Sequence, residues 1–326
     1  MRFFIRRVAF YIVTAWAAVT LNFFIPRMMP GDPVQALIAR YQGQISVDAV
    51  NSLRKLFGMD AHESLWQQYI DYWVKLFHGN LGVSLQSFPT PVSQIISQSL
   101  PWTIGLVGLA TIIAFIVGTV IGIILGWRRG TKWDALIPIT TFFSSVPYFW
   151  IGLMAIAIFA TVLQWFPQGG SYSVDSLPGL NWAFVSSIFY YGFLPALTIV
   201  LSSMAGWILG MRNMMVTVSS EDYVTVAHAK GLRESVVMFR YASRNAILPQ
   251  ISGFALSLGF VVSGTLVMEQ VFNYQGIGYR LLQATNNHDY PLMQGIFLVI
   301  TLSVLIANIV ADIIYVFLDP RTRKEG

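Results

Sequence analysis

Six stretches of this chain carry no Asp, Glu, Lys or Arg, and each is long enough to cross the hydrocarbon core of a bilayer, which takes about 20 residues of helix. They are residues 8–26, 103–127, 136–166, 191–211, 245–268 and 290–311, the last continuing past Asp312 to Leu318. A surface that faces water needs charge, roughly 25% of residues in an ordinary soluble domain. Here charged residues make up 11% of 326. The apolar runs must face lipid, and a soluble globular enzyme is excluded. Disorder is excluded by 23 Phe, 14 Tyr and 10 Trp. With no cysteine, disulfides, thiolate metal sites and a Cys nucleophile are excluded as well.

The first run follows Arg2, Arg6 and Arg7, an arrangement shared with cleaved signal peptides. No small-x-small site followed by a polar segment appears after it, so it reads as a retained anchor. Lys and Arg accumulate on the cytoplasmic side of membrane proteins. With the N-terminus placed there, fourteen of the twenty basic residues fall on that side, and both termini are cytoplasmic. Arg27, Arg40, Arg54, Lys55, Lys75 and Arg280 fall outside, five of them in one long loop where the rule is weak. The net charge of +5 thus needs no nucleic acid.

Residues 27–102 form the long outer segment. It opens on the turn Pro30-Gly31-Asp32-Pro33. Residues 50–57 and 65–77 have helical apolar spacing, with Leu53, Leu56, Trp66, Tyr69, Tyr72, Trp73 and Leu76 as expected buried positions. Residues 167–182, rich in Gly, Ser and Pro, read as a loop. The polar segment 212–244 is different. Ser219 or Ser220 is placed to cap a helix of about ten residues whose first turn carries Glu221 and Asp222, and Gly231 is placed to end it.

Signals for catalysis are poor. His62, His78, His228 and His288 are scattered, without metal-ligand spacing. No Gly-Lys dipeptide exists, hence no phosphate-binding P-loop, and ATP would have to be bound by another chain. Asp312 lies in the last run near its cytoplasmic end and Glu269 at the outer end of the fifth, and membrane acids are functional candidates because burial is costly. Both sit within a turn or two of an interface, which equally suits snorkelling or a structural pair. Gly118, Gly122 and Gly126, four residues apart, form a small-residue face suited to close helix packing. Pro138, Pro147 and Pro195 free backbone carbonyls and bend helices. Trp165, Phe166, Trp182, Phe189, Tyr190 and Tyr191 fit an outer aromatic belt. Met204, Trp207, Met211 and Glu269 are the candidates for lining a solute path.

The segment Glu221-Asp222-Tyr223-Val224-Thr225-Val226-Ala227-His228-Ala229-Lys230-Gly231-Leu232, followed by Arg244-Asn245-Ala246-Ile247-Leu248-Pro249, resembles the EAA loop of ABC importer permeases of the dipeptide/oligopeptide/nickel branch. Further segments agree in order along nearly the whole chain. They are Pro30-Gly31-Asp32-Pro33-Val34, Leu81-Gly82-x-Ser84-Leu85, Leu194-Pro195-Ala196-Leu197, Val267-x-Glu269-x-Val271-Phe272 with Gly276-x-Gly278, Asp289-Tyr290-Pro291-x-x-Gln294-Gly295, and Leu318-Asp319-Pro320-Arg321. Thr225, Val226 and Leu209 depart from the branch pattern.

The resemblance implies an all-α integral membrane protein of the type I ABC importer permease fold. It would have six transmembrane helices and a small extracytoplasmic helical segment after the first. Residues 1–26 would be the N-terminal end and first helix, 27–102 the outer segment, 103–318 the five-helix core with coupling loop 212–246, and 319–326 a cytoplasmic tail. It further implies a bacterial or archaeal inner-membrane location. The partners would be a second, homologous permease, two ATP-binding subunits holding ATP and Mg, and an extracytoplasmic solute-binding protein. This chain would hold no cofactor, metal or catalytic residue. The coupling helix would dock on an ATPase through Glu221, Asp222, Tyr223, Thr225, Ala227, His228, Ala229, Lys230, Gly231 and Leu232. Peptides are the first expectation for the solute, with oligosaccharides and nickel chelates carried by relatives of the branch. A membrane-embedded enzyme would need converging acids or histidines, and a lone ion-coupled carrier would have no use for a capped polar helix.

Overall fold

A computed structural model describes residues 2–28, 64–263 and 265–318. The turn at Pro30–Pro33, the 50–57 helix with Leu53 and Leu56, and the 319–326 tail lie outside them. The described residues are almost wholly helical: α1 Arg2–Met28, α2 Leu65–Phe77, α3 Val92–Trp127, α4 Lys132–Ser145, α5 Tyr148–Val162, α6 Trp182–Val218, α7 Asp222–Ala229, α8 residues 234–246, α9 Leu248–Val261, α10 Leu266–Val271, α11 Ile277–Asn286 and α12 Tyr290–Leu318.

Four helices, in α1, α3, α6 and α12, are long and apolar enough to cross a membrane, and α4 with α5 makes a fifth if the bent pair is one span. Their large side chains point outward: Ile12 and Trp16 of α1, Ile116 and Val120 of α3, Ile306 and Val310 of α12 are all exposed. Apolar surface displayed on this scale is stable only in lipid or under a partner.

Two apolar runs differ from the single helices expected. The 136–166 run is broken at Pro147, where α4 and α5 meet at 94°. Proline has no N–H and disfavours helical backbone in the residue before it; Val146 is accordingly extended, with φ −82° and ψ 132°. Pro138, by contrast, sits in the first turn of the α-helical part of α4, which starts at Leu136 after a 3-10 turn, and there a missing N–H leaves no α-helical bond unmade. The 245–268 run is also interrupted, with α9 ending at Val261 and α10 starting at Leu266. Two other helices run longer than their apolar runs. The second starts at Val92 instead of residue 103, and α6 covers 182–218, about 55 Å at 1.5 Å per residue.

The main packing contact is between α3 and α6, and the glycine stripe makes it possible. A Cβ on Gly118 would meet Trp207 Cβ at 2.7 Å, and one on Gly122 would meet the Ile208 carbonyl oxygen and Met211 Cβ, both at 2.7 Å. One on Gly126 would lie 2.8 Å from the Arg212 carbonyl oxygen. Without side chains on this face the two backbones come together.

Helices α1 and α12 pack side by side, and Tyr11 donates a 2.6 Å hydrogen bond to Asp312 Oδ2. The half-buried Asp312, just past the charge-free run, is thus paired within the chain. Across the far end of α1 lies α2, capped by the Ser64 hydroxyl, which accepts from Gln67 N at 3.2 Å. Tyr69 and Tyr72 of α2 meet Phe23 with ring centroids 5.3 and 5.6 Å away. The expectation that Trp66, Tyr69, Tyr72, Trp73 and Leu76 are buried needs correction, because no residue of α2 is fully buried and Trp66 is exposed. Among the described residues α2 is covered on one side only.

Candidate functional site

Three places combine functional residue types with a built geometry. The first is α7, an exposed eight-residue helix at one end of the bundle. Its start differs from expectation. Ser219 and Ser220 do not cap it; their hydroxyls donate back to the carbonyls of Val216 and Thr217, each at 2.8 Å. They close α6, so the turn falls one residue later and Glu221 takes the extended N-cap position, with φ −75° and ψ 146°. Asp222 in the first turn suits the positive helix start.

The other end of α7 is a complete Schellman closure. Leu232 N donates to the Ala227 carbonyl at 3.4 Å and Gly231 N to the His228 carbonyl at 2.9 Å. Gly231 sits at φ +71°, a left-handed conformation that only glycine adopts freely.

Helical spacing turns Val224 and Ala227 inward, each 1% exposed, into a cluster with Ile123, Met211, Met215 and Val237. Tyr223 and Leu232 are half-buried against it. Ala227, three residues from Val224, shares the face buried within this chain. Glu221, Asp222, Thr225, His228, Ala229, Lys230 and Gly231 remain exposed. Val226 adds an exposed apolar side chain among them.

The second place is a cavity of about 530 Å³ between α3, α6 and α9. Thr111 of α3, Ser203 and Trp207 of α6, Gln250 and Ser257 of α9, and Ser263 and Thr265 beyond α9 supply its polar groups, and among the described residues no charged side chain lines it. Phe115 and Phe254, stacked at 4.2 Å, fix the Trp207 ring from one side. Of the four path candidates only Trp207 lines this cavity. Met211 is fully buried in the cluster under α7, the Met204 carbonyl faces Gly118, and Glu269 lies elsewhere. Ser203, Gln250 and Ser257 were missed. Their signal is present in the sequence as polar residues on one helical face, at i, i+4 for Ser203–Trp207 and i, i+7 for Gln250–Ser257.

The third place is the end of the bundle opposite α7. Glu269 of α10 is 0% exposed. Thr103 of α3 donates to its Oε1 at 2.8 Å, and Tyr279 N of α11 donates to Oε2 at 3.0 Å. The Thr103 hydroxyl oxygen in turn accepts from Ile277 N at 2.7 Å. A Cβ on Gly276 would collide with the Glu269 carboxylate and the Thr103 hydroxyl, and one on Gly278 would meet Leu266 Cα at 2.9 Å. Distance along the chain hid this knot, in which Glu269 accepts hydrogen bonds from two other helices of its own chain.

A second knot joins Asp289 to the 81–91 turn. Ser84 Oγ and Gln86 N donate to Asp289 Oδ2, the latter at 3.0 Å, and Oδ1 accepts from Leu292 N at 3.2 Å as the N-cap of α12. Asp289→Ala removes a helix cap and leaves the buried Ser84 hydroxyl without its acceptor. Losses of about 1 kcal/mol for the cap and 1–3 kcal/mol for the orphaned group are typical. The expected result is a clear fall in the melting temperature of the purified chain, while Asp289→Asn, which keeps an acceptor, falls less.

Comparison with known proteins agrees with this architecture. The family described as "Binding-protein-dependent transport system inner membrane component" matches residues 118–324. The chain is similar to the "Oligopeptide transport system permease protein AppB" of Bacillus subtilis, 30% identical over 98% of each chain. It is 32% identical to the "Di/tripeptide transport system permease protein DppB" of Pseudomonas aeruginosa, over 100% of this chain and 99% of the relative. It is 30% identical to the "Dipeptide transport system permease protein DppB" of Escherichia coli over the same shares.

Proposed function

This chain belongs to the binding-protein-dependent transport system inner membrane components, and on that premise we propose that it forms half of the translocation pathway of an ATP-driven peptide importer. The observation that carries the reading is α7, a short helix with most of its polar residues exposed, closed at its C-terminal end by Gly231 and seated on the buried cluster of the bundle. A helix that is presented rather than packed away serves a partner. That partner is an ATPase subunit, met through Glu221, Asp222, Thr225, His228, Ala229, Lys230 and Gly231. ATP binding brings two ATPases together, shifts the docked helices of two permeases and moves the bundle between inward- and outward-open states.

In this reading the chain crosses the inner membrane six times, with α4–α5 as one bent crossing and α8–α9 completing another. Both termini and α7 are cytoplasmic. Residues 27–102 and the α10–α11 unit lie outside, where a solute-binding protein delivers its cargo. The second permease covers the open side of the cavity, so that two such surfaces enclose the solute. The names of the relatives concern oligopeptides, dipeptides and tripeptides, which supports peptide as the solute class. The cavity wall is compatible with it: hydroxyl and amide groups suit a peptide backbone, and the absence of charge avoids selecting among side chains. A second reading, an oligosaccharide, is favoured by Trp207 beside Ser203 and Ser257, since an aromatic face with hydroxyls also suits sugar rings.

The test is uptake by proteoliposomes holding this chain, its partner permease and both ATPases, supplied with binding protein and labelled peptide or oligosaccharide. Accumulation of peptide is expected only with ATP enclosed on the ATPase side and with binding protein supplied on the outside. Uptake by the permeases alone contradicts the reading, and uptake of the sugar in place of the peptide selects the alternative.

A further inference from the structure

The helix that lines the cavity also reaches both of its ends. At the α7 end, Trp127 is the last residue of α3, and its indole bridges the two sides of the turn that follows α7. The ring stacks on His228 of α7, with centroids 5.9 Å apart and planes 21° from parallel. Its Nε1–H donates to Glu234 Oε1 of α8 at 3.0 Å. Beside it, Arg129 Nη2 donates to Ser219 Oγ at 3.1 Å, and Gly126 seats α3 flush on α6. In mid-length α3 contributes Val107 and Thr111 to the cavity wall. At the opposite end Thr103 holds Glu269 of α10 and the Ile277 amide of α11. The first of those helices follows directly on the cavity-lining Thr265. Thr103 and Trp127 are 24 residues apart on one continuous helix, about 36 Å, with a wide π-turn at Ile104–Gly108 just beside Thr103.

We propose that α3 is a transmission rod, with Trp127 as the positioning residue that passes movement of α7 into it and Thr103 as the residue that delivers this movement to the α10–α11 unit. The inference rests on the reading of α7 as the ATPase-docking helix. Apolar packing seats α7 on Met211 and Met215 of α6 and on Ile123 of α3. To this Trp127 adds the directional contacts, a stack on α7 and a hydrogen bond to α8, that tie both sides of the turn at Gly231 to the end of α3. Helix axes are stiff, so displacement at Trp127 reaches Thr103, and the bonds of Thr103 to Glu269 and Ile277 are the ones that must exchange when that unit moves. Discrete rearrangement of such bonds, and not gradual bending, is how packed elements switch.

The experiment compares ATP-driven peptide uptake with ATP hydrolysis in the reconstituted complex. Trp127→Ala is expected to lower peptide taken up per ATP hydrolysed at least tenfold, with hydrolysis within twofold of wild type and normal co-purification of the ATPases. Trp127→Phe, which keeps the stack and loses the Nε1 bond, is expected to lose less than Trp127→Ala, and Glu234→Gln, which keeps an acceptor, to stay near wild type. Thr103→Val, isosteric and without the hydroxyl, is expected to lower the same ratio from the far end. If Trp127→Ala cuts uptake and hydrolysis in parallel, or leaves the ratio unchanged, Trp127 is merely structural and the inference falls. If Trp127→Ala does not assemble, Trp127→Phe and Thr103→Val decide by the same ratio. A wild-type complex that imports nothing on ATP removes the underlying reading and this inference with it, whereas a working wild type with a coupled Trp127→Ala removes the inference alone.

Discussion

Replacing Gly231 with tryptophan is expected to abolish ATP-driven uptake while the chain still inserts and folds. No atom lies within 4 Å of where a Cβ would stand, so the substitution causes no collision. The penalty is conformational. At φ +71° an L-residue with a large side chain costs roughly 1–2 kcal/mol, and relief comes by unwinding the closure that Gly231 N and Leu232 N make on His228 and Ala227. The last turn of α7 then rotates, taking His228 and Lys230 with it, and an indole protrudes from the face proposed to dock. An uptake rate below about one hundredth of wild type corresponds to some 2.8 kcal/mol, within reach of the strain and the obstructed surface together. Two companions separate the terms. Gly231→Asn, which tolerates left-handed backbone, is expected to retain most uptake, and Gly231→Ala, strained without bulk, to fall between. ATPase co-purification and peptide uptake in one preparation read the outcome, and full uptake by Gly231→Trp would sink the docking assignment.

How far such a site is legible in the sequence depends on the range of the interactions that make it. The location of the helices was legible, since a run without charge has few homes except lipid, and Gly231 was legible because a helix stop is written within a few residues. The Gly118–Gly122–Gly126 stripe announced a close packing face, though not that α6 would fill it. What escaped was decided by interactions across long chain separations. The inward turn of Ala227 depends on the Ile123–Met215 cluster, and the burial of Glu269 depends on Thr103, 166 residues away. The Pro147 break was half legible: proline marked a bend, but not a 94° one. The cavity escaped because Ser and Gln in an apolar helix are as often satisfied by their own backbone. Ser202 and Ser203 both also donate to carbonyls one turn back.

The same distinction between local pattern and tertiary contact governs the second large effect, Gly122→Leu. In an isolated apolar helix leucine is the better residue, by about 1 kcal/mol over glycine, so propensity alone predicts stabilisation. The structure predicts the reverse. A Cβ at this position would stand 2.7 Å from both the Ile208 carbonyl oxygen and Met211 Cβ and 3.2 Å from Arg212 N. Two of the three obstacles are backbone, which cannot swing aside as a side-chain tip does. Helix α6 would have to move away along the α3 face, opening the contacts of Gly118 and Gly126 as well, and lifting Met211 and Met215 out of the cluster on which α7 sits. Overpacking usually costs 1–3 kcal/mol, and more where the backbone must shift; here the cost falls on the main helix pair and on the seat of α7 together. The expected result is loss of folded chain, read as aggregation in detergent and failure to recover the ATPases. Gly122→Ala is expected to be milder and to keep the fold at reduced thermal stability. A Gly122→Leu chain as stable as wild type would show that α3 and α6 do not meet along the glycine stripe. The transmission from Trp127 to Thr103 would then lose its support along α6.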